Sequence, residues 1–505
     1  MTDIKTAGSL RSLITNIYIS IMFLLFPLFT GFSGYANITF SKFLFFIICT
    51  GLWLIGLIIA CIVEKSPLPR FSIHHWAATA FAAVCILSFI VSPYKSDSLL
   101  GASRYDGLIT HLIYILIFLG VSFFGRFRPY HFICLAISVF ICSFVAVFQL
   151  FNINLFSLFP GDFSHYDSGI RYSSAFLGTM GNTNVLSAFF CLALPVLFVL
   201  PLVSNKKLCR LGIIAMFPAV FVLVRARVAG GFVGLGLCAL IAAPIVFTDI
   251  KKLCRALFSA APLLVSASIA LAYRPHYVFP DFEWTFCFDT LPLLALCGAA
   301  ALIIIGAILA KAKNFSPSKK AMRLFFIAIC LFAVLAGLIF VYFFAPSAGT
   351  IYELSQVLHG NIDDSFGSSR IKIWRGCLAI FGEHPLLGSG PDTLALRVDV
   401  HFSRYVPETG KLLQTSVDNA HNEYLGHLIN TGIFGLTAYL FILILALIAF
   451  LKSCSRPHIC ALGLGCLCYC IQGFFALGLP LIAPLFWIAL ALLFPKDESL
   501  SELIM

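Results

Sequence analysis

Charge is what this chain has least of: 11% of its 505 residues are charged, 60% are apolar, and the mean hydropathy is +1.00. A water-soluble fold is excluded, because so little polar surface cannot cover so much apolar area. Metal-site patterns are missing too. No Cys-x-x-Cys or Cys/His ligand spacing lies between the apolar runs. Most of the 18 cysteines, such as Cys49, Cys61, Cys85, Cys134, Cys142, Cys191 and Cys238, fall inside those runs as small hydrophobes. Cys466, Cys468 and Cys470 share one run at a spacing that cannot close a zinc site around a helix. There is no Asp-x-Asp, and the nearest carboxylate pair, Asp281-Phe-Glu283, has no evident third ligand, so no metal and no other cofactor is expected. The first apolar run is long and lacks a small-residue cleavage site, which argues against a cleavable signal peptide.

What is present is a series of apolar runs long enough for a bilayer, which takes about 20 helical residues. They lie near 13–31, 41–63, 74–91, 108–124, 130–151, 183–203, 229–247, 255–273, 290–311, 323–344, 430–451 and 457–475, with shorter ones at 210–224 and 480–495. The prediction is an all-α polytopic membrane protein of twelve to fourteen transmembrane helices. It divides into a multi-span region 1–344, one long polar loop 345–422 and C-terminal spans 423–505. The 53 phenylalanines read as lipid-facing packing.

With the N-terminus placed in the cytoplasm, most of the 33 Lys and Arg fall in short cytoplasmic loops, for example Lys206, Lys207, Lys251, Lys252, Lys319 and Lys320. Both termini are then cytoplasmic and the long loop is extracytoplasmic. The net charge of +11 is explained by basic loops beside anionic lipid, and no nucleic acid is implied.

Arginines at the outer boundary are costly and call for a reason. Arg225-Ala-Arg227 sits in a tight turn between two apolar runs. The pair either snorkels to headgroups or forms an anion clamp, and Gly230 and Gly231 would let a helix or lipid approach. Arg104-Tyr-Asp-Gly107 precedes the 108–124 run, either as an interfacial anchor with a local charge partner or facing a substrate. In the long loop, residues 368–383 read as an amphipathic helix with Ile371, Trp374, Leu378 and Phe381 on its apolar face. Ser368 or Ser369 would be the N-cap, and Arg370 would lie in the first turn, where backbone amides favour an anion. Its alternative role is to lie on the bilayer with Trp374 at headgroup depth. Arg375 is on the same helix. Asp418-Asn-Ala-His421-Asn422 opens a further helix with Asp418 or Asn419 as cap. An ordinary histidine there would be a hydrogen-bonded interfacial residue, but its unperturbed pKa near 6.5 also suits a general base. Fixed cations and a base on the outer face suggest transfer of a group from a lipid-linked phosphate donor to a hydroxyl.

With these residues read, the chain resembles the O-antigen ligase/polymerase superfamily of the Wzy C-terminal domain type. The block Ser369-Arg370-Ile-Lys-Ile-Trp374 followed by His384-Pro-Leu-Leu-Gly-Ser-Gly390 resembles the family's Arg, Trp and His-Pro-Leu-x-Gly-x-Gly pattern. Ala420-His421-Asn422-Glu-Tyr-Leu425 with Thr431-Gly-Ile-Phe-Gly435 resembles its His-Asn-x-x-Leu and trailing Gly-x-x-Gly. Weaker echoes are Asn182-Thr-Asn184, where Pro is usual in the middle, and Ala226-Arg227-Val228 for Ser-Arg-Gly. Either Arg225 or Arg227 could be the family arginine; the offset to the next span favours Arg227. The likeness runs from about residue 100 to the last span.

The resemblance implies a GT-C-like fold and metal-independent transfer of a glycan from a polyprenyl-diphosphate carrier to a glycan, lipid or protein acceptor. It implies that Arg227 and Arg370 bind the diphosphate and that His421 activates the acceptor, with inversion at the anomeric carbon. Arg225, Arg104, Trp374, Arg375 and Asn422 would support substrate binding. Within the family, a ligase and a repeat-unit polymerase share these signals. Outside it, a lipid-linked saccharide flippase would require charges buried mid-span and internal repeats, and the spans read as nearly free of charge. A structural or sensory protein would leave the arginine and histidine blocks unexplained.

Overall fold

In lipid, every backbone polar group must be satisfied within the chain, so apolar runs of this length become helices. A computed structural model describes residues 9–494 other than 66, 68, 160–165, 168–169, 172–177, 205, 279–280, 313–314 and 407–410. The helices, in chain order, are α1 (Leu10–Leu28), α2 (Ile38–Glu64), α3 (Ile73–Val91), α4 (Lys95–Leu100), α5 (Leu108–Phe124), α6 (Pro129–Leu150), α7 (Thr183–Val203), α8 (Lys206–Ala226) and α9 (Ala229–Val246). They continue with α10 (Ile250–Ala272), α11 (Thr290–Lys311), α12 (Lys319–Phe344), α13 (Thr350–Leu358), α14 (Phe366–Phe381), α15 (Glu423–Ser453), α16 (Pro457–Gly473) and α17 (Ala483–Ala491).

Among the described residues, 11 helices are long and apolar enough to cross a membrane, and α5 and α16 are shorter apolar helices. The protein is an all-α polytopic membrane protein. The 480–495 run differs from expectation: α17 has nine residues, all buried. Its apolarity serves the protein core, since a helix of that length is too short to span.

Among the described residues three antiparallel hairpins, none anticipated, interrupt the connections: β1 (Tyr166–Asp167) with β2 (Ile170–Arg171), β3 (Tyr273–Val278) with β4 (Asp281–Phe286), and β5 (His401–Val406) with β6 (Lys411–Ser416).

The helices are not equivalent. α7 is almost wholly buried, packed on α8, α9 and α16, whereas α12 buries nothing along its most apolar stretch and touches mainly α9 and α13. Lipid would cover α12, so its outward Leu and Phe side chains need no protein partner. The spans are also less free of ionisable groups than the sequence suggested. Lys42 of α2 is fully buried, and its Nζ donates to the Phe26 and Pro27 carbonyls at the end of α1 (2.8 and 3.0 Å). His111 of α5 and His427 of α15 face each other, ring centroids 5.7 Å apart.

One interruption positions the long loop. α15 breaks at Gly432 (φ 68°, ψ −172°), a conformation essentially confined to glycine. The loop after α14 docks in the break. Ile433 N donates to Pro385 O (2.9 Å), Phe434 N to Leu386 O (3.2 Å), and Gly390 N to Asn430 O (3.0 Å). The two backbones approach so closely that a Cβ on Gly432 would overlap the Leu386 carbonyl, and one on Gly388 the Asn430 carbonyl. Gly432→Ala should therefore cost on the order of 1–3 kcal/mol from backbone strain alone, more with the overlap. A lowered thermal midpoint of the purified protein in detergent would show it; an unchanged midpoint would contradict this account of the break.

Candidate functional site

α14 brings Arg370 to the site in a way the sequence did not reveal. Gly367, Ser368 and Ser369 all have left-handed backbone (φ 63°, 58° and 64°), so the chain makes a left-handed turn immediately before Arg370. The regular right-handed helix therefore begins at Arg370, directly after Ser368 and Ser369. Left-handed conformations cost non-glycine residues about 1–2 kcal/mol each and cluster where function over-determines the backbone. Arg370 Nη1 donates to Gly367 O (2.7 Å), while its Nε is buried without a hydrogen-bond partner. Burial also lowers the guanidinium pKa. An orphaned guanidinium donor of this kind is what an incoming anion would satisfy.

The buried face of α14 also differs from expectation. Ile373 and Cys377 are buried, with Trp374, Ile380 and Phe381 packed beside them, whereas Leu378 is 55% exposed. Trp374 turns inward: its Nε1 donates to Ala420 O (3.0 Å), and its ring packs edge-on to Phe474 at the end of α16. This bond fixes the peptide immediately before His421. Arg375 points away, 59% exposed along its side chain and paired with Asp364 (2.7 Å).

His421 has φ 47°, another left-handed residue, and its N–H donates to Asn419 Oδ1 (3.0 Å). The N-cap of α15 is Asn422, not Asp418 or Asn419: Asn422 Oδ1 accepts from Leu425 N (3.0 Å), and the residue is 6% exposed. Asn422 thus shapes the turn that carries His421.

Arg104 completes the cluster. Its charge partner is not the adjacent Asp106 but Asp418, bridged by Nε and Nη2 at 2.7 Å each. The loop that carries Arg104 is clamped by Asp392, a residue unremarked in the sequence. The Asp392 carboxylate accepts from Arg104 N (3.0 Å), Ser103 N (3.3 Å), Ser103 Oγ (3.2 Å) and Asp106 N (3.4 Å). Burial raises the Asp392 pKa against these bonds. Asp106 turns inward, its pKa raised well above the carboxylate range by burial and then by Asp392 and Glu423.

The arginine turn lies elsewhere. Arg225, Arg227 (φ 51°) and Arg274 line a cavity of about 350 Å³ with Tyr273, Pro275 and Leu291. Arg225 Nη1 donates to Tyr273 O (3.2 Å) and its guanidinium lies over the Tyr273 ring, while Arg274 pairs with Asp289 (2.9 Å). Close approach at Gly230 and Gly231 is by protein, not lipid: Phe475 of the α16–α17 connection and Ser187 of α7. Phe475 is next to the Phe474 that touches Trp374, so the arginine turn connects through packed side chains to the His421 cluster. Among the described residues no group of three or more His, Cys, Asp or Glu gathers as a metal site.

Chemically, the cluster offers a fixed cation beside an imidazole. The His421 pKa is lowered chiefly by burial, then by the Arg370 charge, with Asp418 opposing and Arg104 adding least. A neutral imidazole at neutral pH can accept a proton.

The long loop, the left-handed turn and the docked α15 break fall within residues 289–440, which match the family model described as O-Antigen ligase (Wzy_C). The protein is thus a multi-pass membrane protein whose residues 289–440 match the O-antigen ligase family. Arg370, Trp374, Arg375, His421 and Asn422 are inside the matched stretch; Arg104, Arg225 and Arg227 are outside it. No curated protein matches the chain.

Removing the Arg370 charge with Arg370→Ala should raise the His421 pKa, and removing the opposing charge with Asp418→Asn should lower it further. If His421 must be neutral to act, the acid limb of the activity profile moves to higher pH in the first variant and to lower pH in the second. A limb that stays put in both would dissociate it from His421. Asp392→Ala leaves several donors of the Arg104 loop unpaired, at about 1–3 kcal/mol for each buried group; faster proteolysis within residues 100–107 would report it.

Proposed function

We propose that the protein transfers a glycan from a polyprenyl-diphosphate carrier to an acceptor hydroxyl on the outer face of the membrane. The observation that carries this reading is His421 set beside the orphaned guanidinium of Arg370 at the start of α15, within the O-antigen ligase stretch. His421 takes the proton from the acceptor O–H as the oxygen attacks the anomeric carbon. The bond from that carbon to the phosphate oxygen breaks on the opposite face, and its electron pair leaves on the diphosphate, so the configuration inverts. Arg370 and Arg227 hold the diphosphate and stabilise the charge that develops there, an electrostatic contribution that can match or exceed that of the base. No metal takes part. Arg104, held by Asp418, and Arg225 contribute positive potential around the donor. Trp374 and Asn422 position His421, and Arg375, paired outward with Asp364, serves at most the rim. Both termini are cytoplasmic, as the basic inner loops support, and residues 345–422 form the outer catalytic segment. The acceptor hydroxyl belongs to a glycan, lipid or protein, as for a ligase; the alternative within the same chemistry is a repeat-unit polymerase.

The test is the size distribution of polyprenyl-linked saccharides in cells where His421→Ala or Arg370→Ala replaces the native protein. Loss of the base should slow transfer by about 10²-fold or more, and long lipid-linked chains should accumulate. Accumulation of single repeat units would instead identify a polymerase, and an unaltered distribution in both variants would refute the catalytic assignment.

A further inference from the structure

The turn that presents Arg370 is bonded at both ends of Gly367, and one of those bonds comes from α13, a helix with no part in the transfer so far. Gly367 O accepts from Arg370 Nη1 (2.7 Å), and Gly367 N donates to Glu353 Oε2 of α13 (3.0 Å). The Arg370 side chain lies over the same residue: a Cβ on Gly367 would meet Arg370 Cβ at 3.5 Å. α13 is in turn anchored to the transmembrane helix before it, since Tyr342 of α12 stacks on His359 at the end of α13, ring centroids 4.2 Å apart. The connection from α13 to α14 gives the turn little support. Residues 360–365 are exposed, and Asp363 caps only its own neighbour, accepting from Ser365 N and Oγ (2.8 and 2.5 Å). Within the turn, Ser369 N donates to Ser365 O (2.9 Å). Among the described residues, Glu353 supplies the one hydrogen bond that reaches residues 366–369 from another helix.

An acidic residue in the first turn of a helix commonly serves that helix's own N-terminus, and Glu353 does lie in the first turn of α13. That role would not require its side chain to reach a backbone amide of α14. The left-handed backbone of Ser368 and Ser369 is disfavoured and needs outside restraint to persist. We propose that Glu353 is a positioning residue: it fixes the Gly367 backbone, and Gly367 O in turn fixes the guanidinium of Arg370 beside His421. This rests on the roles given to Arg370 and His421 under Proposed function and adds what aims the arginine. A cation held in place before the anion arrives needs no reorganisation when charge develops, and a misplacement of about 1 Å can cost about 10²-fold in rate. The bond needs an acceptor oxygen rather than a negative charge, which separates it from the helix-terminus role.

The experiment uses the full chain in lipid nanodiscs with a polyprenyl-diphosphate-linked glycan as donor. Glu353→Ala should lower kcat by about tenfold or more, and Glu353→Gln, which keeps an acceptor oxygen, should restore most of it. Adding Glu353→Ala to the Arg370→Ala chain should cost nothing further. A second readout is independent of turnover: the rate at which diethyl pyrocarbonate modifies His421, followed against pH by mass spectrometry of its peptide. His421 is faced by Arg370 of α14, which lowers its pKa, by Asp418 before α15, which raises it, and by Arg104 of the α4–α5 loop, which lowers it least. Displacing the Arg370 charge should therefore move the midpoint to higher pH in Glu353→Ala, the direction expected of Arg370→Ala, and leave it native in Glu353→Gln. Equal impairment of the Ala and Gln variants overturns the assignment. So does an undiminished further loss in the double variant, or a native midpoint in Glu353→Ala where Arg370→Ala moves it. On the native chain, which guards against misfolding of the variants, the Gly367 amide should exchange hydrogen far more slowly than the exposed amides of residues 362–364; equal exchange also overturns it. If the native chain transfers no glycan, the transfer reading fails, and the midpoints and the exchange alone decide what places Arg370.

Discussion

The site depends on a helix that is not allowed to continue. At Gly432 the α15 backbone leaves helical geometry, and the amides of Ile433 and Phe434 bond to the carbonyls of Pro385 and Leu386. Unsatisfied backbone groups at membrane depth are costly, so a break survives only where another segment supplies partners. Here that segment is the loop that follows α14. The break therefore joins the transmembrane bundle to the loop that follows α14 through backbone hydrogen bonds, which leave little freedom of register. α3 and the residue that ends it hold both partners: Ser92 Oγ donates to Ser389 O of the loop, and Ser88 Oγ donates to Asn430 O of α15 beside the break.

With that junction fixed, the remaining placements follow as local consequences. The docked loop carries Asp392, and Asp392 gathers the backbone of residues 103–106, which sets the direction of Arg104. Arg104 meets Asp418 three residues before His421. α14 contributes Arg370 and, through Trp374, a bond to the peptide of Ala420. Three left-handed residues before Arg370 and one at His421 show strain concentrated where the charges converge. Strained backbone of this kind persists only within a frame that over-determines it.

Much of this was legible in the sequence, for reasons that can be named. Helix positions follow from apolar runs, because lipid leaves few alternatives, and the Arg370 and His421 blocks stood out because polar residues are scarce in this chain. The arginine turn was legible from the lack of loop residues between two apolar runs. What escaped depended on tertiary contact. Asp392 is one of many loop aspartates until its four donors are seen. That Asn422 caps α15 also escaped, since capping depends on backbone angles that the run Asp418-Asn419-Ala420-His421-Asn422 does not disclose. α17 looked like a span because apolarity alone cannot separate a lipid-facing helix from a buried one. The buried face of α14 was misjudged because it centres on Ile373 and Cys377, and a cysteine does not mark an apolar face as Leu378 does.

The Asp392 clamp also constrains the order of events during synthesis. Arg104 and Asp392 are 288 residues apart, with ten helices between α4 and the loop that bears the carboxylate. The early loop can be inserted and exposed long before its partner emerges, and contacts of such wide separation form late. The cation cluster around His421 is accordingly assembled as one of the last steps of biogenesis, and a chain arrested before α14 would display Arg104 on a loop with neither Asp392 to shape it nor Asp418 to neutralise it.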